Sequence, residues 1–274
     1  MRAVLILLAT LCLACPSRAE RFTFVAFGDM PYCDERAMDR CPEEERRVAA
    51  LMAEINAQRP AFSIFLGDTI GGREHCTDDR LLRALGWMAL ADHPLVYTPG
   101  DNEWVDCRRP RAGGFDPEER LSLLRGRYFA RPESLGQRPM PLLRQADADP
   151  AHAPFVENAF WTRGGVAFVT LHVPSSNNNR PTEPEERPAL RLPDTALAEH
   201  TARNAANIAW LDRAFAEAAR SGAPAVVVMI QADLFFVQRC GRGYSSGYRD
   251  TIAALERNAR AFGRPVLLLN GDGH

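Results

Sequence analysis

The chain has 274 residues, 46% hydrophobic and 25% charged, a balance ordinary for a globular protein that excludes disorder, collagen and coiled coil as the main content. Its 33 basic residues, every one an arginine, stand against 35 acidic ones, so there is no electrostatic footprint for nucleic acid. Beyond the N-terminal segment no window is apolar for long enough to span a membrane.

Met1 and Arg2 precede an apolar run over 3–14, and Pro16-Ser17-Arg18-Ala19 closes it with small residues. This pattern predicts a secretory signal peptide over 1–19, a single domain over 20–274 and an exported protein, periplasmic or extracellular. Export permits disulfides. Cys33 with Cys41 and Cys76 with Cys107 are the expected pairs, because each would tie down a loop leaving the candidate site, while Cys240 is left over.

Three short apolar runs, Phe22 to Gly28, Phe62 to Gly67 and Leu95 to Pro99, read as buried strands. Between the first two, Val48, Leu51, Met52 and Ile55 recur at helical spacing behind Pro42 and an acidic first turn; between the second and third, Leu81, Leu82, Leu85 and Met88 form another amphipathic segment. The order β-α-β-α-β predicts a parallel sheet with right-handed crossovers. The stretch from about Arg108 to Pro154 has little apolar periodicity and reads as a long inserted loop. Phe155 to Thr162 and Val166 to Val173 flank a Gly-containing turn and predict a hairpin. Ser175 to Asn179 opens a second polar loop. Thr201 is a possible cap for a helix carrying Ile208, Leu211, Phe215 and Ala218; Pro224 to Ile230 is a strand, Ile252, Leu255 and Phe262 mark a helix, and Val266 to Leu269 a last strand.

In a parallel sheet, ligands bind beyond the carboxyl ends of the strands. There the chain places Gly28-Asp29, Gly67-Asp68, Gly100-Asp101-Asn102-Glu103, Gln231-Ala232-Asp233 and Gly271-Asp272-Gly273-His274. Converging carboxylates repel one another, and cations are the simplest remedy. Asp29, Asp68, Asp101 and Asp272 carry enough charge for two divalent ions, the arrangement used in phosphoryl transfer.

These blocks, in this order, resemble those of the calcineurin-like metallophosphoesterases, and the resemblance covers nearly the whole mature chain. It implies an α/β fold of layered sheets flanked by helices with long inserted loops, two divalent metal ions as cofactors, and hydrolysis of a small phosphorylated substrate. It also implies metal ligands at Asp29, Asp68, Asp101, Gln231, Asp272 and His274, with Asp68 bridging. Pro31 stands where the family has its first histidine. In an ungapped comparison Asp101 replaces the metal-binding Asn and Asn102 the His that assists the leaving group; shifted by one residue, Asn102 is the ligand and Glu103 the acid. Both assignments stay open in the sequence. Exchange of imidazoles for oxygen donors shifts the metal preference from Zn or Fe toward Mn, Mg or Ca. The alternative is a catalytically weak or inactive relative that binds a phosphorylated or glycan ligand.

Gly243-Tyr244-Ser245-Ser246-Gly247 fits the nucleophile elbow of α/β-hydrolases, but no strand immediately precedes it, so a Gly/Ser loop is the expected form. In that loop Arg239, Arg242 or Tyr244 would be in reach of a phosphate. His75, His93, His152, His172 and His200 are expected away from the acidic edge, with His75 the nearest exception. Tyr32 and Trp104 are expected to wall the pocket, and Glu157, Asn158 and the run Asn177 to Asn179 to offer polar groups near it.

Overall fold

A computed structural model describes residues 21–33, 41–186, 189–236, 240–241 and 243–273. The signal-peptide assignment, His274, Arg239 and Arg242 lie outside these.

The apolar runs become two sheets. β1 (Phe24–Phe27), β2 (Phe62–Phe65) and β3 (Leu95–Tyr97) form a parallel sheet in that order. β4 (Leu143–Arg144), β5 (Ala159–Arg163), β6 (Val166–Thr170), β7 (Val226–Met229) and β8 (Val266–Leu269) form a second sheet in that order, antiparallel from β4 to β6 and parallel from β6 to β8. The predicted hairpin is β5–β6.

Alternation along the strands explains why the sheets pack face to face. Phe62, Ile64 and Leu66 point from the first sheet to Trp161, Phe168, Val227 and Met229 of the second. Phe62 lies edge-on to both Trp161 and Phe168, with ring centroids 5.4 and 5.0 Å apart. Such pairs contribute beyond the area they bury. The other face of the first sheet packs on α1 (Cys41–Ala57), α2 (Asp78–Met88) and α3 (Pro117–Tyr128). The other face of the second packs on α4 (Ala196–Arg220) and α5 (Arg249–Phe262). The result is four layers, helix, sheet, sheet, helix.

Two expectations need correction. The stretch after Arg108 holds α3, whose start follows from Asp116, its carboxylate accepting from Glu118 N–H and Glu119 N–H, with Pro117 in the first turn. Arg120 and Arg125, interleaved with Leu121 and Leu124, hide its apolar stripe; both are drawn inward by carboxylates, Arg120 by Asp78 and Arg125 by Glu157. Thr201 is not a cap either. The helix begins at Ala196, and the Thr201 hydroxyl donates to the Leu197 carbonyl one turn back.

Both expected cysteine pairs stand at disulfide distance, Cys33 with Cys41 and Cys76 with Cys107, with Cα separations of 5.0 and 5.6 Å. Cys240 is free and exposed. Cys76–Cys107 closes a loop of 31 residues. Replacing both by Ser is expected to lower unfolding stability by about 3 to 4 kcal/mol in chemical denaturation; an unchanged midpoint would mean that the pair constrains nothing. No described helix is long and apolar enough to cross a membrane.

A candidate metal centre at the strand ends

The carboxyl ends of β1, β2, β3, β7 and β8 meet over one cleft of about 740 Å³. Asp68, Asp101 and Asp272 each offer an oxygen there, and these oxygens lie within 4.8 Å of one another. They come from both sheets. Asp29, Asp68 and Asp272 share an uncommon backbone: each follows a glycine and adopts a left-handed conformation, with φ of 58°, 63° and 60°. Aspartate tolerates this region better than most residues, and such backbone concentrates at functional sites.

Asp29 stands beside the triad. Both its oxygens accept from the Asp272 N–H, at 3.1 and 3.2 Å. The Tyr32 hydroxyl lies 3.3 Å from Asp29 Oδ1 and 3.3 Å from Asp68 Oδ2, linking the two acids. Tyr32 thus walls the cleft as expected from its position beside Asp29.

Gln231 reaches the site with its nitrogen. Its Oε1 accepts the Ser175 N–H at 2.6 Å, which turns Nε2 toward Asp68 Oδ2 at 3.1 Å and Asp101 Oδ1 at 3.3 Å. An amide so oriented turns its donors to the site, so in this arrangement Gln231 bridges the two carboxylates. Asn102 lines the cleft, and its backbone N–H donates to Asp68 Oδ1 at 3.2 Å. Glu103 lies underneath. It is wholly buried, with Oε1 accepting from Thr69 N–H at 2.8 Å and from the Tyr97 hydroxyl at 3.1 Å, and it forms no part of the cleft lining. The geometry therefore puts Asn102, and not Glu103, on the cleft wall.

Residues the sequence did not single out complete the wall. Ser175 Oγ donates to Asp272 Oδ2 at 2.9 Å. Ser176 Oγ lies 2.7 Å from Asp101 Oδ2 and 2.8 Å from Asp106 Oδ1. These serines open a turn in which Ser176, Asn177, Asn178 and Asn179 all have φ between 49° and 58°. Four successive left-handed residues are costly, about 1 to 2 kcal/mol each. Side-chain amides offset this: Asn177 Nδ2 donates to Arg180 O at 2.9 Å, Asn178 Nδ2 to Gly247 O at 3.0 Å and Asn179 Nδ2 to Glu199 Oε2 at 2.8 Å. The fully buried Arg203 donates to the Asn178 and His172 carbonyls from below.

Crowded carboxylates resist ionisation. Burial, then the charges of Asp101, Glu103, Asp29 and Asp272, hold Asp68 well above the usual carboxylate range. Burial followed by Asp101 pushes Asp272 up to about 7. Asp106 also rises to about 7, by burial and then Asp101, against the pull of Arg109 and Arg108. Glu103 rises to about 7 through burial, partly offset by its bond from Thr69.

Glu103, which does not line the cleft, provides a test. Its folded pKa exceeds its unfolded value of about 4, so the stability it contributes is complete below pH 4 and is lost as pH climbs through about 7. Glu103→Gln keeps the uncharged form at every pH. The gain of this variant in unfolding free energy over the metal-free parent is expected to be near zero at pH 4 and to widen up to pH 7, on the order of 1 kcal/mol per pH unit. A gain independent of pH would contradict the raised pKa.

The remaining expected groups sit elsewhere. No described histidine joins the acidic cluster. His93 Nε2 meets Ser63 Oγ at 2.9 Å, His152 Nδ1 meets Asp149 at 2.8 Å, His172 Nδ1 meets Glu157 at 2.8 Å, and His200 Nδ1 meets the Asn178 carbonyl at 2.8 Å. Trp104 is fully buried against His172 and Arg203 and walls nothing. Glu157 and Asn158 lie in the interior, Glu157 on Arg125 and His172 and Asn158 on Gln145 and Asn207. The Gly243–Gly247 segment is neither an elbow nor an unanchored loop. Glu186 Oε1 accepts from Ser245 N–H at 2.8 Å and Ser246 N–H at 2.9 Å, and a Cβ at Gly247 would fall 2.0 Å from the Asn177 carbonyl. Tyr244 does line the cleft. No family model matches the chain, and no curated protein sequence does.

Proposed function

We infer that the protein is an exported, metal-dependent phosphoesterase of the calcineurin-like kind. The observation that carries this reading is the meeting of Asp68, Asp101 and Asp272 within 4.8 Å, delivered by strands of two different sheets. The donor set fits hard divalent cations. All of its groups are carboxylate oxygens, and Mg²⁺, Mn²⁺ and Ca²⁺ favour such ligands. Asp68, Asp101 and Asp272 would hold the first ion, and Asp29, joined to Asp68 through Tyr32, would extend the site toward a second. Such ions supply Lewis acidity to a phosphoryl group and lower the pKa of water.

The chain's own groups do the rest. Asn102 offers an amide at the cleft wall to orient a leaving-group oxygen. Ser175 and Ser176 fix Asp272 and Asp101 by hydroxyl bonds, and Gln231 bridges Asp68 and Asp101. Two cysteine pairs at disulfide distance support an exported protein.

Gln231 favours a second reading, a ligand binder without turnover, because its amide already compensates the two carboxylates that an ion would neutralise. Titration of Mn²⁺ into chelator-treated protein with an aryl phosphate separates the two. Turnover that saturates with Mn²⁺ supports the phosphoesterase, and ligand binding without turnover under any divalent ion supports the binder.

A further inference from the structure

The cleft is not acidic throughout. Arg73 and Arg111 line it together with the acids, both are exposed, and neither forms an ion pair with a described residue. Arg109, which also lines the cleft, is committed: it pairs with buried Asp106, and it donates to the Gly72 carbonyl at 3.3 Å and to Ser176 Oγ at 3.5 Å. The two free guanidiniums come from separate segments, Arg73 from the turn after β2 and Arg111 from the single-turn helix Pro110–Ala112. Cys76–Cys107 ties these segments together, and the Cys76 N–H donates to the Ala112 carbonyl at 3.0 Å. The segments that carry the two cations are thus held together beside the cleft.

We propose that this rim is an anion subsite, and that the substrate is a phosphate ester whose leaving group carries a second anionic group, held by Arg73 and Arg111. The proposal rests on the phosphoesterase reading, because it takes the acidic floor as the seat of the reacting phosphoryl group. A guanidinium presents a planar fork suited to phosphate or carboxylate, and unpaired cations at a cleft mouth attract anions from solution. Asp106 holds Arg109 against Ser176, so the rim sits beside Asp101 and does not collapse onto it. Tyr244 bounds the same space.

Calorimetry on the full chain tests this with two probes that cannot be hydrolysed, ethylphosphonate and ethylenediphosphonate. Mn²⁺ is titrated first. With Mn²⁺ bound, the diphosphonate is expected to bind about tenfold more tightly than the monophosphonate, and less so as salt rises. In the Arg73→Ala/Arg111→Ala double variant the preference is expected to fall to about the statistical factor of two, with ethylphosphonate affinity unchanged. Both residues are exposed, so folding is not at stake. Equal affinity for the two probes in the parent protein, or a preference that survives the double substitution, overturns the proposal while the metal site stands. Absence of Mn²⁺ binding overturns the phosphoesterase reading and the subsite with it.

Discussion

Replacing Asp68 by Asn is expected to abolish metal-dependent turnover and to stabilise the metal-free protein. Asp68 is 2% exposed and faces the charges of Asp101, Glu103, Asp29 and Asp272, so the amide removes an ionisation that burial and these neighbours oppose. Asn keeps an oxygen where Asp68 Oδ1 accepts the Asn102 N–H, while its NH2 takes the place of Oδ2, from which the Gln231 amide must turn. What it cannot keep is the anionic oxygen shared with the Asp101 and Asp272 cluster. Mutations of groups that only orient metal ligands cost about 10- to 100-fold, and loss of a ligand in the centre of the cluster is expected to exceed that. The paired readouts are turnover of an aryl phosphate with Mn²⁺ and the melting temperature in chelator. Persistent Mn²⁺-dependent turnover in Asp68→Asn, or a lower metal-free melting temperature, would show that Asp68 is an ordinary buried polar residue.

A single methyl group is expected to do nearly as much damage at Gly100. A Cβ there would lie 1.9 Å from Asp68 Oδ1 and 2.6 Å from the Asp68 nitrogen. Backbone cannot yield cheaply, so the carboxylate must leave its place. Overpacking of this kind costs about 1 to 3 kcal/mol in stability, and a displacement of about an ångström at a reacting centre costs about 100-fold in rate. Gly86 in α2 is the control. Nothing lies within 4 Å of a Cβ there, and Ala in a helix interior is expected to stabilise by about 0.5 to 1 kcal/mol with activity intact. If Gly100→Ala and Gly86→Ala behaved alike, the close approach of β3's end to Asp68 would be of no consequence.

The acids of the centre were legible because a glycine followed by an aspartate after an apolar run is a local pattern. The glycine allows the close approach, the aspartate tolerates φ near 60°, and the strand order carries both to one edge. Layering was legible only in part. Phe62 and Ile64 read as buried, but their opposition to Trp161 and Phe168 depends on how two sheets face each other, which no spacing along the chain encodes. α3 escaped notice because Arg120 and Arg125 look polar in sequence, and the distant groups that hold them inward, the Cys76 carbonyl and Glu157, meet them only in space. The same limit applied to chemistry. Gln231 was placed correctly at the end of β7, yet the Ser175 N–H decides which end of its amide faces the carboxylates. Asp106 and Ser176, far apart in the chain, become site residues only through a bond of 2.8 Å. Glu157 and Asn158, polar and near a hairpin, were drawn inside by Arg125, His172 and Asn207.

Diffraction from crystals soaked in Mn²⁺, measured across the manganese absorption edge, tests the central claim most directly. An anomalous peak lying among the carboxylates of Asp68, Asp101 and Asp272, with any second peak on the Asp29 side, is the result the geometry predicts. Ordered crystals with those carboxylates in place and no manganese among them would contradict it.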